Sequence, residues 1–155
     1  MGRKSIKENK NIYQEIRESL DLTRQKASEL LQFISEDRLE KIESEKSEIR
    51  PDEVLKMSQA YKRPDLANYY CSHECPIGKK YVPAAETKDL SQITLEMLAT
   101  LNSLEKQKNR LIEITVDGKI SEDEKADFEE IRKQLNDMSK TIASLSIWVD
   151  SKLDN

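Results

Sequence analysis

Cys71, His73 and Cys75 fall within five residues of one another, in Tyr69-Tyr70-Cys71-Ser72-His73-Glu74-Cys75-Pro76-Ile77-Gly78. They form the one place where metal-ligating residue types cluster. Two thiols and an imidazole offer three soft or borderline ligands, whereas a closed structural zinc site takes four. His73 is the only histidine, and both cysteines are already counted, so a fourth ligand would have to be Glu74, water or a partner chain. The alternatives are burial of Cys71 and Cys75, one helical turn apart, against Tyr69 and Tyr70, or a thiol redox pair. Packing is the expectation, with no metal and no cofactor. A second run, from Glu113 through Asp117-Gly118 and Ile120 to Glu124, lines up with a calcium loop at the glycine, the isoleucine and the closing acid. It has Glu at position one and Thr115 at position three, so the oxygens calcium needs are missing. His73 has no Ser or Asp partner in sequence, and neither a phosphate-cradling glycine loop nor a nucleophile elbow occurs. Catalysis is not expected.

The chemistry that remains is binding. Leu22-Thr-Arg-Gln-Lys-Ala-Ser-Glu-Leu-Leu31, followed by Ile34-Ser-Glu-Asp-Arg-Leu-Glu-Lys-Ile-Glu43, reads as two short helices joined by a tight turn. Such a pair can lay its second helix in the major groove of DNA. That second helix opens Ser35-Glu36-Asp37. Across 35–48, Glu36, Asp37, Glu40, Glu43, Glu45 and Glu48 oppose Arg38, Lys41 and Lys46, a net of −3. One acid on a reading helix can accept from a cytosine amino group, but two adjacent ones at its start repel phosphates. They also suit the positive end of a helix. The first eight residues form a basic arm. Arg3, Lys4 and Lys7, with Lys10 just beyond, stand against Glu8. The arm either reaches into a minor groove or is a solubilising tail.

The whole chain sets the limits. Its 155 residues fit one domain, or a small domain with an appendage. Charged and hydrophobic residues each make up 36%, with three Gly and four Pro, the profile of a helix-rich chain. A net charge of −4 gives no general attraction to nucleic acid or anionic lipid. No apolar run approaches the ~18–20 residues that span a bilayer, and the basic start lacks the apolar core of an export signal. Two cysteines without such a signal point to a reducing cytoplasm.

Three pieces follow the arm. In 9–66, Ile12, Ile16 and Leu20 with Tyr13 predict one amphipathic helix. Thr23 caps a second that buries Ala27, Leu30 and Leu31. Ser35 caps a third on Leu39 and Ile42. Pro51 opens a fourth on Val54, Met57 or Leu55, and Tyr61. The piece 67–86 is a connector with Cys71, Cys75, Pro76 and Pro83, in which Pro76 and Gly78 stop any helix begun at Asp65. In 87–155, Phe128, Ile131, Leu135, Met138, Ile142, Leu145 and Val149 are spaced as a coiled-coil seam. Leu90, Thr94, Met97, Leu101, Leu104, Lys108 and Leu111 mirror them about a point between Lys119 and Ile120. An antiparallel helical hairpin is predicted, turning at 116–121 with Ser121 as a cap. Its helices are each about 40 Å long. The outer flanks, Ile93, Leu98, Ile112, Ile147 and Trp148, call for cover by the N-terminal bundle or by a second copy, and a homodimer is expected.

Leu22-Thr23, the helix that follows, Ile34-Ser35, Ile42-Glu43 and Val54-Leu55-Lys56-Met57 resemble the lambda-repressor-like, or XRE-type, helix-turn-helix regulators over about residues 9–66. The chain departs from that pattern at Ser28, where a small Ala is usual, and at Gln32-Phe33, where a turn glycine is usual and one residue looks inserted. Gln32-Phe33 implies a longer turn or an extended helix. The resemblance implies a compact all-α DNA-binding bundle acting as a dimer on a pseudo-palindromic site. On that reading Thr23, Arg24 and Gln25 contact the DNA backbone, while Ser35, Arg38 and Lys41 face bases or phosphates. The C-terminal hairpin then serves dimerisation or sensing. The alternative is a protein-interaction module on the same fold that has lost DNA binding.

Overall fold

A computed structural model of the chain describes residues 9–116 and 118–153. The basic arm 1–8 and Asp117 of the hairpin turn lie outside the described residues. Among the described residues eight α-helices follow one another: α1 (Ile12–Ser19), α2 (Arg24–Leu31), α3 (Glu36–Glu43), α4 (Pro51–Ala60), α5 (Asp65–Tyr69), α6 (Gly78–Tyr81), α7 (Leu90–Thr115) and α8 (Lys125–Leu153). No strand occurs among the described residues. No helix there is long and apolar enough to cross a membrane.

Helices α1–α5 close around one core. Tyr13, Ile16, Ala27, Leu31, Ile34, Leu39, Ile42, Val54, Met57, Tyr61 and Leu66 are each at most 4% exposed. The 3–4 spacing of these residues along each helix is what brings the helices together. The predicted core positions Leu20, Leu30 and Leu55 instead stand in solvent. Leu20 falls beyond the last turn of α1, and on α4 the buried apolar side chains are Val54 and Met57. Asn11, Thr23 and Ser35 cap α1, α2 and α3, each side chain accepting a backbone N–H three residues on, as their residue types favour.

The ends of α1, α3 and α4 are made without glycine. Asp21, Glu45 and Lys62 take left-handed backbone angles just after α1, α3 and α4. There Leu22 N–H donates to the Arg17 carbonyl, Lys46 N–H to Lys41 and Arg63 N–H to Ser58, the 6→1 bond of a Schellman ending. The α2–α3 turn is of another kind. Gln32 has φ 65° and ψ −48°, and Phe33 N–H donates to the Leu31 carbonyl at 2.8 Å, which is a γ-turn around a left-handed residue. Of the two outcomes expected from Gln32-Phe33, the longer turn is the one observed. It throws Phe33 outward at 57% exposure, beneath the Lys56 ammonium. A side chain in this conformation carries strain that glycine avoids. Gln32→Gly is therefore expected to raise the stability of the bundle by about 1 kcal/mol, measured by urea unfolding.

The connector is more ordered than its prolines suggest. α5 runs on as a π-helical turn (Tyr70–Glu74), closed by Cys75 N–H on the Tyr70 carbonyl. The helix begun at Asp65 ends at Glu74, just before Pro76; Gly78 opens the separate α6, and a Cβ there would sit 1.9 Å from the Cys71 carbonyl oxygen. Tyr13 donates to Glu74 at 2.9 Å, tying this turn to α1.

Helices α7 and α8 pack along each other, joined through a turn in which Ser121 N–H and Oγ both donate to Glu124. The buried seam is rotated from the predicted one. Ile93, Ile114, Ile131, Thr141, Ser144 and Ile147 are buried, while Leu90, Leu101, Leu135 and Ile142 remain 41–50% exposed. Ile93 and Ile147, expected on the uncovered flanks, lie inside. The seam is partly polar, and the side-chain carbonyls of Gln107 and Gln134 are buried in it without a hydrogen-bond partner among the described residues. Glu86 N–H donates to Ser144 Oγ. Asn68 bridges Pro83 and Ala85. The connector thus straps one face of the hairpin to the end of α5, next to a cavity of about 110 Å³ walled by Pro64, Ile147 and Trp148.

Candidate nucleic-acid interface

The α2–α3 pair is held by buried ion pairs. The Glu43 side chain is 1% exposed. It accepts two hydrogen bonds from Arg17, at 2.5 and 2.8 Å, and a third from Arg24 at 2.9 Å. Arg17 also donates to the Leu22 carbonyl at 2.5 Å. One carboxylate at the end of α3 therefore clamps α1 and the first turn of α2. Glu53, on α4, plays the matching part. Arg38 of α3 donates to both its oxygens at 2.7 Å, and Arg50 N–H adds a third bond at 2.9 Å. Arg38 reaches Ser47 and the Glu48 carbonyl as well. Buried carboxylates with two or three such bonds fix orientation, because any other geometry strands a charge.

Burial pushes the Glu53 carboxyl up, but the Arg38 hydrogen bonds, the Arg50 N–H and the charges of both arginines outweigh it. The net position lies below the usual glutamate range. The same direction holds for Glu18, where the bonds from Lys10 and Gln14 outweigh burial. A carboxyl held below its unfolded value contributes stability above the unfolded pKa and loses it as pH falls through the folded one. Unfolding free energy is expected to hold from neutral pH to roughly pH 5 and to decline below about pH 4. Glu53→Gln should flatten part of that decline. Urea titrations at stepped pH read both slopes.

The six expected contact residues all lie on α2 or α3, or at their caps, and the structure gives each an intramolecular role. Thr23 and Ser35 cap their helices. Arg24 is half-buried against Glu43, and Gln25 reaches Glu29 at 3.4 Å. Arg38 is taken up by Glu53, and Lys41 pairs with Asp37 at 2.6 Å on the surface. Beside them, Arg24, Glu36, Asp37, Glu40 and Ser44 line an open notch of about 390 Å³ with Gln14 and Glu43 at its floor. Lys26, in the first turn of α2, is exposed.

Glu43 belongs to the interior, neutralised by two arginines, and so drops out of the acidic surface of α3. Glu53, Arg17 and Glu43 are the residues that position the site and that a tally of surface charge passes over. Their signal is spacing: Glu43 follows Leu39 by four, and Glu53 precedes Met57 by four, so both share the apolar face of their helix.

The thiol cluster takes other partners. His73 stacks on Tyr69 with ring centroids 4.5 Å apart, and its Nδ1 lies 2.8 Å from Ser72 Oγ. Cys75 Sγ accepts from Gly78 N–H. Cys71 and Cys75 are both half-buried free thiols. No group of three or more His, Cys, Asp or Glu side chains able to hold a metal occurs among the described residues. In the acidic run near the hairpin turn, Glu124 is engaged by Ser121.

Comparison with curated proteins and with solved structures yields no match. A family model described as helix-turn-helix, HTH_3, matches residues 14–65, about a third of the chain, from within α1 to the start of α5. The capped α2–α3 pair and the core beneath it are thus the part of the chain that is similar to the HTH_3, or lambda-repressor-like, helix-turn-helix family.

Proposed function

We propose that this protein is a transcriptional regulator that binds duplex DNA through α2 and α3. It works as a homodimer whose α7–α8 hairpin serves assembly or sensing, in a reducing cytoplasm, by binding and without catalysis. The observation that carries this reading is the coincidence of the family match over 14–65 with an α2–α3 pair capped and clamped in place by Glu43 and Glu53. Thr23, Arg24 and Gln25, with Lys26 beside them, would meet phosphates at the α2 N-terminus, where backbone N–H groups also favour an anion. Ser35 and Lys41 stand at the front of α3. Arg38 would reach a base or phosphate by exchanging Glu53 for DNA.

A second reading, a protein-binding module on the same fold, is favoured by one specific observation. Arg24, Arg38 and Lys41 each already hold a carboxylate, so the electrostatic term that dominates DNA affinity is partly spent inside the chain. Fluorescence anisotropy with a pool of random-sequence duplexes at ~50 mM salt, where screening is weak, separates the two. Salt-dependent binding is expected, and its absence at that salt would sink the DNA reading.

A further inference from the structure

The hairpin has two unlike faces. On one, Ala99, Thr100, Asp137, Lys140, Thr141 and Ser144 line a groove that the connector at 84–88 overlies. The residues next along each helix, on the other side of the seam, are Leu98, Leu101 and Ile112 of α7 and Leu135 and Ile142 of α8, each about half exposed. α7 is therefore apolar over a wider arc than one neighbour covers: Met97, Leu104, Leu111 and Ile114 on the inside, Leu90, Leu98, Leu101 and Ile112 outside. α8 repeats the pattern. A stripe of three apolar positions per heptad is the mark of a helix in a four-helix bundle, whereas a two-stranded seam needs two.

Resting on the homodimer reading above, we infer that this outward face seats a second copy of the chain, α8 lying antiparallel on the partner's α8 so that two hairpins make one four-helix bundle. Three observations select that occupant. First, Phe128, Leu135, Ile142 and Val149 recur every seven residues, and such a series is its own mirror image. Turned about a point between Met138 and Ser139, it sets Leu135 on Ile142 of the partner subunit and Phe128 on Val149 of the partner subunit. Self-complementarity of this kind is what a two-fold interface requires. Second, the stripe is poor in charge near the proposed axis. Leu135, Ser139, Ile142, Ser146 and Val149 on α8, and Leu90, Thr94, Leu98 and Leu101 on α7, are all uncharged, and the charges on this side, Glu105, Lys108 and Arg132, lie toward the turn, with Arg132 at the edge of the α8 contact. Charge-poor centres with charged rims mark interfaces. Third, the size is right. Two adjacent helices about 40 Å long present a face roughly 18 Å wide. That is about 700 Å² per partner, close to the ~800 Å² of a standard stable interface.

The test uses the full chain. Leu135→Glu with Ile142→Glu puts two carboxylates into the proposed centre at positions already half exposed, so the hairpin should keep its helicity by circular dichroism. Sedimentation equilibrium is expected to show a dimer for the natural sequence and a dissociation constant raised about 100-fold or more in the double variant. In a Cys71→Ser, Cys75→Ser background, Ser139→Cys at the two-fold axis should form an inter-chain disulfide under mild oxidation, and Lys140→Cys, on the strapped face, should not. A dimer that survives both glutamates, with no link through residue 139, overturns this face and leaves the homodimer reading standing. A natural sequence that stays monomeric across micromolar concentrations overturns both.

Discussion

Glu43→Ala is expected to cost about 3–5 kcal/mol of unfolding free energy, the largest effect of any single side-chain truncation in the helix-turn-helix region. The carboxylate is sealed from water, and Arg17, whose side chain is only 7% exposed, depends on it for two of its three hydrogen bonds. Without Glu43, a guanidinium stays buried with the Leu22 carbonyl and a distant Glu18 at 3.7 Å. A cavity opens beside it. Glu43→Gln keeps the shape but removes the charge, and should remain about 2 kcal/mol less stable than the natural sequence, the usual worth of hydrogen bonds to an ionised group. Glu36→Ala, an acid at the exposed start of the same helix, should change stability by roughly 0.5 kcal/mol at most. Urea unfolding followed by circular dichroism measures all three. A Glu43→Ala cost near that of Glu36→Ala would mean that water reaches Arg17 and that the clamp does not set the α1–α2–α3 geometry. Because the same carboxylate fixes the first turn of α2 through Arg24, its loss should also shift α2 against α3.

The parts of this fold that were legible from residue order are those governed by one neighbour at a time. Ser35 and Thr23 cap helices because a short oxygen side chain at that place satisfies an orphan N–H whatever packs behind it. Ile16, Ala27, Leu31, Leu39, Ile42 and Met57 go inside because helical spacing aligns them. The rest depends on contacts far apart in the chain. Glu43 counts as surface charge in a tally along the sequence and Glu53 draws no notice there; only the approach of Arg17, Arg24 and Arg38 from other elements makes their burial tolerable. At Gly78 nothing local announces that the Cys71 carbonyl will lie against it. The hairpin shows the limit of periodicity most plainly. With Met97, Leu104, Leu111, Ile131, Met138 and Leu145 common to both, the predicted and observed seams differ by a small rotation of each helix. Three apolar positions per heptad support either. The candidate interface is legible as a place, α2 and α3, but not as a set of free cations: the pairing of Arg24 and Arg38 is a tertiary property, and only that of Lys41 with Asp37 is local to its helix.

That pairing makes the electrostatics of α3 adjustable, and it leads to the second large effect. Glu36→Gln combined with Asp37→Asn is expected to tighten duplex binding about tenfold at ~50 mM salt, and by only two- to threefold near 200 mM. Two terms add. Each neutralised carboxylate removes a repulsion worth up to about 1 kcal/mol in water at contact distance, and both sit at the front of the helix where phosphates would come closest. Removing Asp37 also releases Lys41, now held at 2.6 Å, so that a neutral pair becomes a cation facing the DNA. The salt slope should therefore steepen by close to one unit in the double variant, a change that loss of repulsion alone would produce weakly. Neither residue supports the core: both are exposed, and Ser35 still caps the helix. Stability should fall by no more than roughly 0.5 kcal/mol each through the lost helix-dipole interaction, leaving affinity readable. If α3 instead presents its acids to a basic protein surface, the same double variant leaves DNA binding unmeasurable at every salt concentration. Affinity and slope together therefore decide between a nucleic-acid reader damped by its own carboxylates and a scaffold whose carboxylates are the point of contact.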